Sequence, residues 1–233
     1  GGQANTNSTF GSSNFSGSIQ STVSANTTAG FSIVSYTGTG ANATVGHGLG
    51  AVPKLVITKN RSNANGWGVY HASVGNTKST PLDDNLAAQT SSAYWNNTTP
   101  TSSVFSVSTG NDVNRSGDNM IAYCFAEKAG YSKFGKYVGN SNADGVFVYT
   151  GFKPSLILIK VFDGTNNWHI YDNKREGYNV DNDMLRPNLS DAEQTDDDLD
   201  ILSNGFKLRW NSTAFNGSSN TYLYYAVGQT IVG

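Results

Sequence analysis

From Phe31 onward the chain alternates short apolar runs with turns rich in Gly, Asn, Ser and Thr, a rhythm that predicts β-strands. The runs Lys54-Leu-Val-Ile-Thr-Lys59 and Ser155-Leu-Ile-Leu-Ile-Lys160 fit strands covered on both faces. Each is launched by Gly-x-x-Pro, Gly50 to Pro53 and Gly151 to Pro154, and proline suits a strand's first position because it cannot donate to a ladder. Turns at 61–66 and 163–167 lead into Trp67-Gly-Val-Tyr70 and Trp168-His-Ile-Tyr171, which complete a hairpin in each case. Further strands are expected at 103–107 and 205–208, with closing strands at 120–125 and 222–227. No long amphipathic helix is visible; 191–202 is the best place for one or two helical turns.

The same pattern occurs twice. Tyr36 and Gly38 recur 101 positions later as Tyr137 and Gly139. At that spacing Gly50, Pro53, Leu55, Lys59, Trp67 and Tyr70 fall on Gly151, Pro154, Leu156, Lys160, Trp168 and Tyr171. Phe105, Asn119 and Tyr123 fall on Phe206, Asn220 and Tyr224. The expected fold is all-β, two tandem antiparallel β-sandwich-like repeats at 31–130 and 131–233. One larger sandwich formed by both repeats is the alternative. Residues 1–30, with isolated Phe10, Phe15 and Ile19, are too polar to order alone. They form either a linker or a segment ordered by what it packs on.

Only 14% of residues are charged, against roughly 25% in ordinary soluble chains. The net charge of −2 and the scattered Lys and Arg argue against a nucleic-acid partner. No apolar run has the length for membrane insertion. The lone Cys124 excludes an intrachain disulfide and reads as a small core residue. The chain begins Gly-Gly-Gln-Ala-Asn, with neither Met nor a signal peptide, as a fragment or processed chain would.

Candidate chemistry is sparse. His47, His71 and His169 do not coincide between the repeats, Val148 standing opposite His47, and each reads as structural. Gly38-Thr-Gly-Ala41 lacks the Lys-Ser/Thr of a phosphate loop and reads as a turn. Asp112, Asp118, Glu127 and Asp144 could supply a glycosidase pair, but nothing nominates one. No catalytic residue, cofactor or metal is therefore expected. Asp196, Asp198 and Asp200 are weak metal candidates: they are oxygen donors, with Asp197 beside them, but lack calcium-loop spacing. Trp67 and Trp168 are assigned to the core. Trp95 and Trp210 have no counterpart and lie among Asn and Thr or Ser, which makes them the candidate exposed ligand-binding aromatics.

Several strings resemble a domain common in bacteriophages, especially marine ones. They are Ala29 to Gly40, Val45 to Gly50, Ala122 to Glu127, Gly130 to Gly135, Asp144 to Pro154 and Leu202 to Leu208. The domain occurs in tail-fibre-like and other virion-associated proteins, and it brings no catalytic motif. The resemblance implies a virion location, with other virion proteins as partners. The expected role is a structural and adhesion module contacting a host surface glycan or protein. Homo-oligomerisation is expected, preferably as a trimer. A purely structural decoration protein is the alternative, and a glycan-degrading tail spike is disfavoured.

Overall fold

A computed structural model describes residues 12–175, 179, 183–195 and 198–229. Its sheets are antiparallel, none closes into a barrel, and the only helices among the described residues are two single turns. The chain divides into two compact units, each with its own apolar core. The first takes the chain through Pro81 and again over Gln89–Glu127; the second takes Leu82–Ala88 and everything from Lys128. Leu82–Ala88, a loop of the first repeat, thus folds with the second unit.

The first unit contains β1 (Ser12–Asn14), β2 (Ser21–Asn26), β3 (Phe31–Thr37), β4 (Ala43–Gly46), β5 (Pro53–Asn60) and β6 (Trp67–His71). There follow β7 (Lys78–Ser79), β8 (Gln89–Thr90), α1 (Ser92–Trp95), β9 (Val104–Val107), α2 (Asn111–Asn114) and β10 (Asn119–Ala126). The main sheet runs β1-β2-β3-β10-β5-β6, and β4 pairs with β9 in a separate ribbon. Strand β2 shows how so polar a stretch becomes ordered. Its small residues alternate, so Ser21, Val23 and Ala25 turn inward while Thr22, Ser24 and Asn26 face solvent. Pairing with β3 satisfies its backbone. Residues 1–11 lie outside the described residues.

The second unit contains β11 (Ser132–Val138), β12 (Phe147–Tyr149), β13 (Pro154–Val161), β14 (His169–Asp172), β15 (Met184–Leu185), β16 (Leu199–Leu202), β17 (Gly205–Leu208) and β18 (Thr221–Gly228). Its sheets are β11-β18-β13-β14-β15 and β12-β17-β16. Where helical turns were expected, Leu199–Leu202 is a strand. Leu199 and Ile201 point inward at period two, and Ser203-Asn204 closes a two-residue hairpin onto Gly205.

Strand pairing revises the spacing between the repeats. Met120 faces Tyr36 in the first unit, and Tyr222 faces Tyr137 in the second. The closing strands are therefore 102 apart, so Tyr225, not Tyr224, matches Tyr123. One residue of slip reverses the face of every side chain in a strand. Tyr224 occupies the place of Ala122 and is buried, and Asn220 corresponds to Asp118. Likewise Val148 faces Phe206 as Val45 faces Phe105, so Val148 matches Val45 and not His47. The loop that carries His47 is shorter by two residues in the second unit.

The corrected spacing exposes a polar latch common to both units. Asn114 is fully buried; its Nδ2 donates to the carbonyls of Ala41 (2.7 Å) and Ser108 (2.8 Å), and its Oδ1 accepts from Thr39 N (2.8 Å). Buried Asn216 repeats this on Asn142 O (2.9 Å), Trp210 O (2.8 Å) and Asn140 N (3.1 Å). Tyr36 donates to Val113 O and Tyr137 to Phe215 O beside them. Gly38 and Gly139 pass so close that a Cβ would lie 2.1 Å from Arg115 O and 2.4 Å from Gly217 O. This explains the shared Tyr-x-Gly without any phosphate loop. The N–H groups of Gly38 and Gly40 already donate to Asp118 O and Asn114 O.

Candidate functional site

The structure separates the two candidate tryptophans. Trp95 is 2% exposed and packs edge-on against Tyr70 at 5.9 Å, so it is a core residue of the first unit and not a surface platform. Its place on the single turn α1, capped by the Ser91 hydroxyl, turns it inward despite its polar neighbours. Trp210 is 53% exposed. Of the pair assigned to the core, Trp168 is fully buried, whereas Trp67 is half-buried with the Lys59 ammonium 5.3 Å from its ring.

The carboxylates named from the sequence are held by protein partners. Asp198 accepts from the Tyr171 hydroxyl (2.9 Å), and Asp200 pairs with Arg209 (3.2 Å). Asp196 lies outside the described residues. No group of three His, Cys, Asp or Glu able to hold a metal occurs among the described residues. Hydrogen bonds from Asn60 and Asn63, with Arg115 nearby, hold the Asp118 carboxyl below its ordinary range. Lys207 does the same for Asp144. A general acid needs the opposite shift. Burial pushes the Cys124 thiol up, which disfavours a nucleophilic thiolate.

All three histidines are fully buried. His47 is fixed by Thr101 O (3.1 Å) and Leu49 N (3.2 Å), and His71 Nδ1 accepts from Ser73 N (3.1 Å). His169 differs: neither ring nitrogen makes a hydrogen bond of ordinary geometry. It lines a cavity of about 150 Å³ in the second unit, with Trp210 among the cavity's other lining residues. Met184, Ala214 and Phe215 supply apolar wall; Arg186, Asp198 and Ser212 supply polar groups. Phe215 meets the His169 ring edge-on at 6.1 Å. Arg186 pairs with Asp191 (3.3 Å), while its buried Nε has no partner. The latch holds the rim, because Asn216 grips the carbonyl of Trp210 and donates its own N–H to Ser212 O.

The first unit closes the equivalent place. Gly68 stands where the second unit has His169, as their pairings with Thr58 and Ile159 show. A Cβ on Gly68 would lie 2.8 Å from Thr58 Oγ1 and 2.9 Å from Val113 Cγ1, with the Tyr94 ring at 3.8 Å. Ser108 stands where the second unit has Trp210, each giving its carbonyl to the latch asparagine. The cavity is thus built from substitutions at positions the two units share. The sequence does carry a signal for His169, a large polar side chain opposite an obligatory glycine. The grouping of His169 with Arg186 and Asp198 has no sequence signature.

Burial, with the positive charges of Arg186 and Lys160, lowers His169 to about 3. Between pH 6.5 and that value the unfolded chain takes up a proton that the folded site refuses. Stability therefore falls as pH drops through this window and is unaffected above it. The expected loss from this group is about 2.5 kcal/mol between pH 7 and pH 4.5. Urea titrations at the two pH values should show a difference smaller by that amount in His169→Phe. An equal difference in both proteins would refute the neutral, sequestered ring.

Fold and site define a tandem all-β module of two sandwich-like units, with a small polar cavity built into the second. The chain belongs to the family described as Domain of unknown function (DUF7483), which matches residues 4–230. No curated protein and no solved structure matches it.

Proposed function

We propose that this chain is a bacteriophage virion structural and adhesion module, part of a tail fibre or similar appendage, that contacts host surface glycan. The observation that carries the reading is the cavity beside exposed Trp210, present in one unit and closed in the other. A scaffold alone has no need of a cavity rimmed by an exposed indole in one unit only. The low charge and the phage resemblance support a virion location. Strand β12, paired only with β17, presents exposed Phe147 and Tyr149 at a sheet edge, a surface suited to the proposed homo-oligomer, preferably a trimer.

Labelled full-length chain is expected to bind host cells and a subset of arrayed glycans, with Trp210→Ala weakening binding at least about tenfold, the scale of losing one aromatic contact. Full binding by Trp210→Ala would remove the site. No binding in multivalent form would remove adhesion and favour a purely structural decoration.

A further inference from the structure

We infer that the outer face of the first unit's main sheet, around Lys59, Arg61 and Ile121, is the seat for an acidic, proline-led loop of the Pro81–Ala88 kind, supplied by a further repeat.

The second unit shows such a seat filled. Lys160 pairs across the ladder with Leu223 and follows Leu158 on the outer face, while Ile157, Ile159 and Val161 point to the core. The segment Leu82–Ala88 lies on this outer face. Its Asn85 carbonyl accepts from Lys160 Nζ (3.1 Å) and Asn166 N (2.9 Å), and Ala88 N donates to Phe162 O (2.8 Å). Asp84 is close enough to favour the Lys160 charge. Here Lys160, Leu158 and Leu223 are 0%, 8% and 1% exposed.

The first unit repeats the seat with nothing of the kind upon it. Lys59 pairs with Ile121 as Lys160 pairs with Leu223, and it follows Ile57 as Lys160 follows Leu158. All three residues are only half-buried. Lys59 Nζ keeps the bond to Asn65 O that Lys160 makes to Asn166 O, but reaches no second carbonyl among the described residues. Arg61 stands where the second unit has Phe162, and its carbonyl accepts no hydrogen bond among the described residues. The two acceptors of a strap are thus matched by an ammonium and a carbonyl at corresponding places.

Charge and chain economy select the occupant. Exposed Arg61 in place of Phe162 makes this seat more basic than the filled one, which suits the carboxylates of a segment such as Asp83-Asp84. The chain's own Leu82–Ala88 is committed to the second unit. The matching stretch of the second repeat is tied to itself by Arg186–Asp191 and by the bridge of Gln194 to Met184. Neither is spare, so the strap comes from a repeat beyond these two.

The test adds a capped peptide of the sequence Thr80–Gln89 to the ¹⁵N-labelled full chain and follows the backbone amide signals. Those of Lys59, Arg61 and Ile121 are expected to shift saturably at roughly millimolar peptide, the effective concentration of a tethered strap. Those of Lys160 and Asn166, where the chain's own strap is bound, should stay in place. Lys59→Met should weaken binding at least about tenfold, the scale of one charge-assisted hydrogen bond. Placing Asp83→Asn and Asp84→Asn in the peptide should weaken it about threefold, the scale of an exposed ion pair. That change cannot disturb the folding of the chain, so it answers the question even if Lys59→Met does. No shift at Lys59 with about 10 mM peptide, shifts confined to Lys160 and Asn166, or equal binding of a shuffled peptide overturns the inference. So does self-association that protects Lys59 without peptide, because a second copy would then be the occupant.

Discussion

Replacing Asn216 by Leu is expected to lower the stability of the second unit by about 4 kcal/mol, and Asn114→Leu to do the same to the first. Each side chain serves three backbone groups, two carbonyls and one N–H, at 2.7–3.1 Å. Leucine has nearly the right volume but would strand all three, at about 1–3 kcal/mol for each group left unsatisfied in the interior. Asn→Asp is the sharper variant. Its shape is unchanged, yet an oxygen replaces the amide nitrogen and faces two carbonyl oxygens at donor distance. Aspartate should therefore be as damaging as leucine. For a unit of about 100 residues the loss corresponds to a fall in Tm of roughly 15 °C or more. Asn216→Asp melting within a few degrees of the parent would refute the latch. Because Asn216 also grips the carbonyl of Trp210, its variants should lose the proposed surface binding, while Asn114 variants should keep it.

Replacing Leu82–Ala88 by a Gly-Ser linker of equal length is expected to destabilise the second unit by about 3 kcal/mol, although the change lies within the first repeat. Hydrogen bonds tie this strap down, among them Ala88 N to Phe162 O (2.8 Å), Asn166 N to Asn85 O (2.9 Å) and Lys160 Nζ to Asn85 O (3.1 Å). Lys160 is fully buried and otherwise donates to Asn166 O at 2.7 Å. Burial pulls its ammonium down to about 8, with Asp84 on the strap opposing the shift. The Gly-Ser linker keeps these backbone groups but not the side chains that order them, so it detaches; the ammonium then loses one carbonyl and gains water, and its pKa should rise toward 10.5. Hydrogen exchange should report lost protection at Asn166, with the first unit's strands unchanged. Unchanged protection at Asn166 would show that the strap carries no weight.

The strands at 54–59, 155–160, 67–70 and 168–171 were legible because their signals are local: period, turn composition and a launching proline. The register of the closing strands was less legible. Asn119 and Asn220, and Tyr123 and Tyr224, look alike at a spacing of 101, yet pairing sets 102, and chance identities concealed an insertion of one residue. With that insertion allowed, Val113-Asn114 aligns with Phe215-Asn216 and the latch becomes visible. Strand β16 was missed because its acidic surroundings looked like a solvated helix, while Leu199-x-Ile201 before Ser-Asn-Gly is a hairpin pattern. At the site, Trp210 could be picked out by its lack of a counterpart. The same criterion failed for Trp95, since a single helical turn decides which way an aromatic in a polar stretch points. His169, Arg186 and Asp198 come from three separate stretches of chain, and their meeting is a product of folding alone.

The strap gives the tandem a direction. After β7 the first repeat lends its chain to the second unit, whereas after β15 the second repeat turns back on itself, Arg186 reaching Asp191 and Gln194 bridging to Met184. That returning stretch carries Arg186, one wall of the cavity. A repeat whose segment is committed to a neighbour cannot also use it to line a pocket. Arrays lengthened with copies like the first would gain reach but no additional cavity. The number of such cavities would then be set by the number of chains, not by the number of repeats in each.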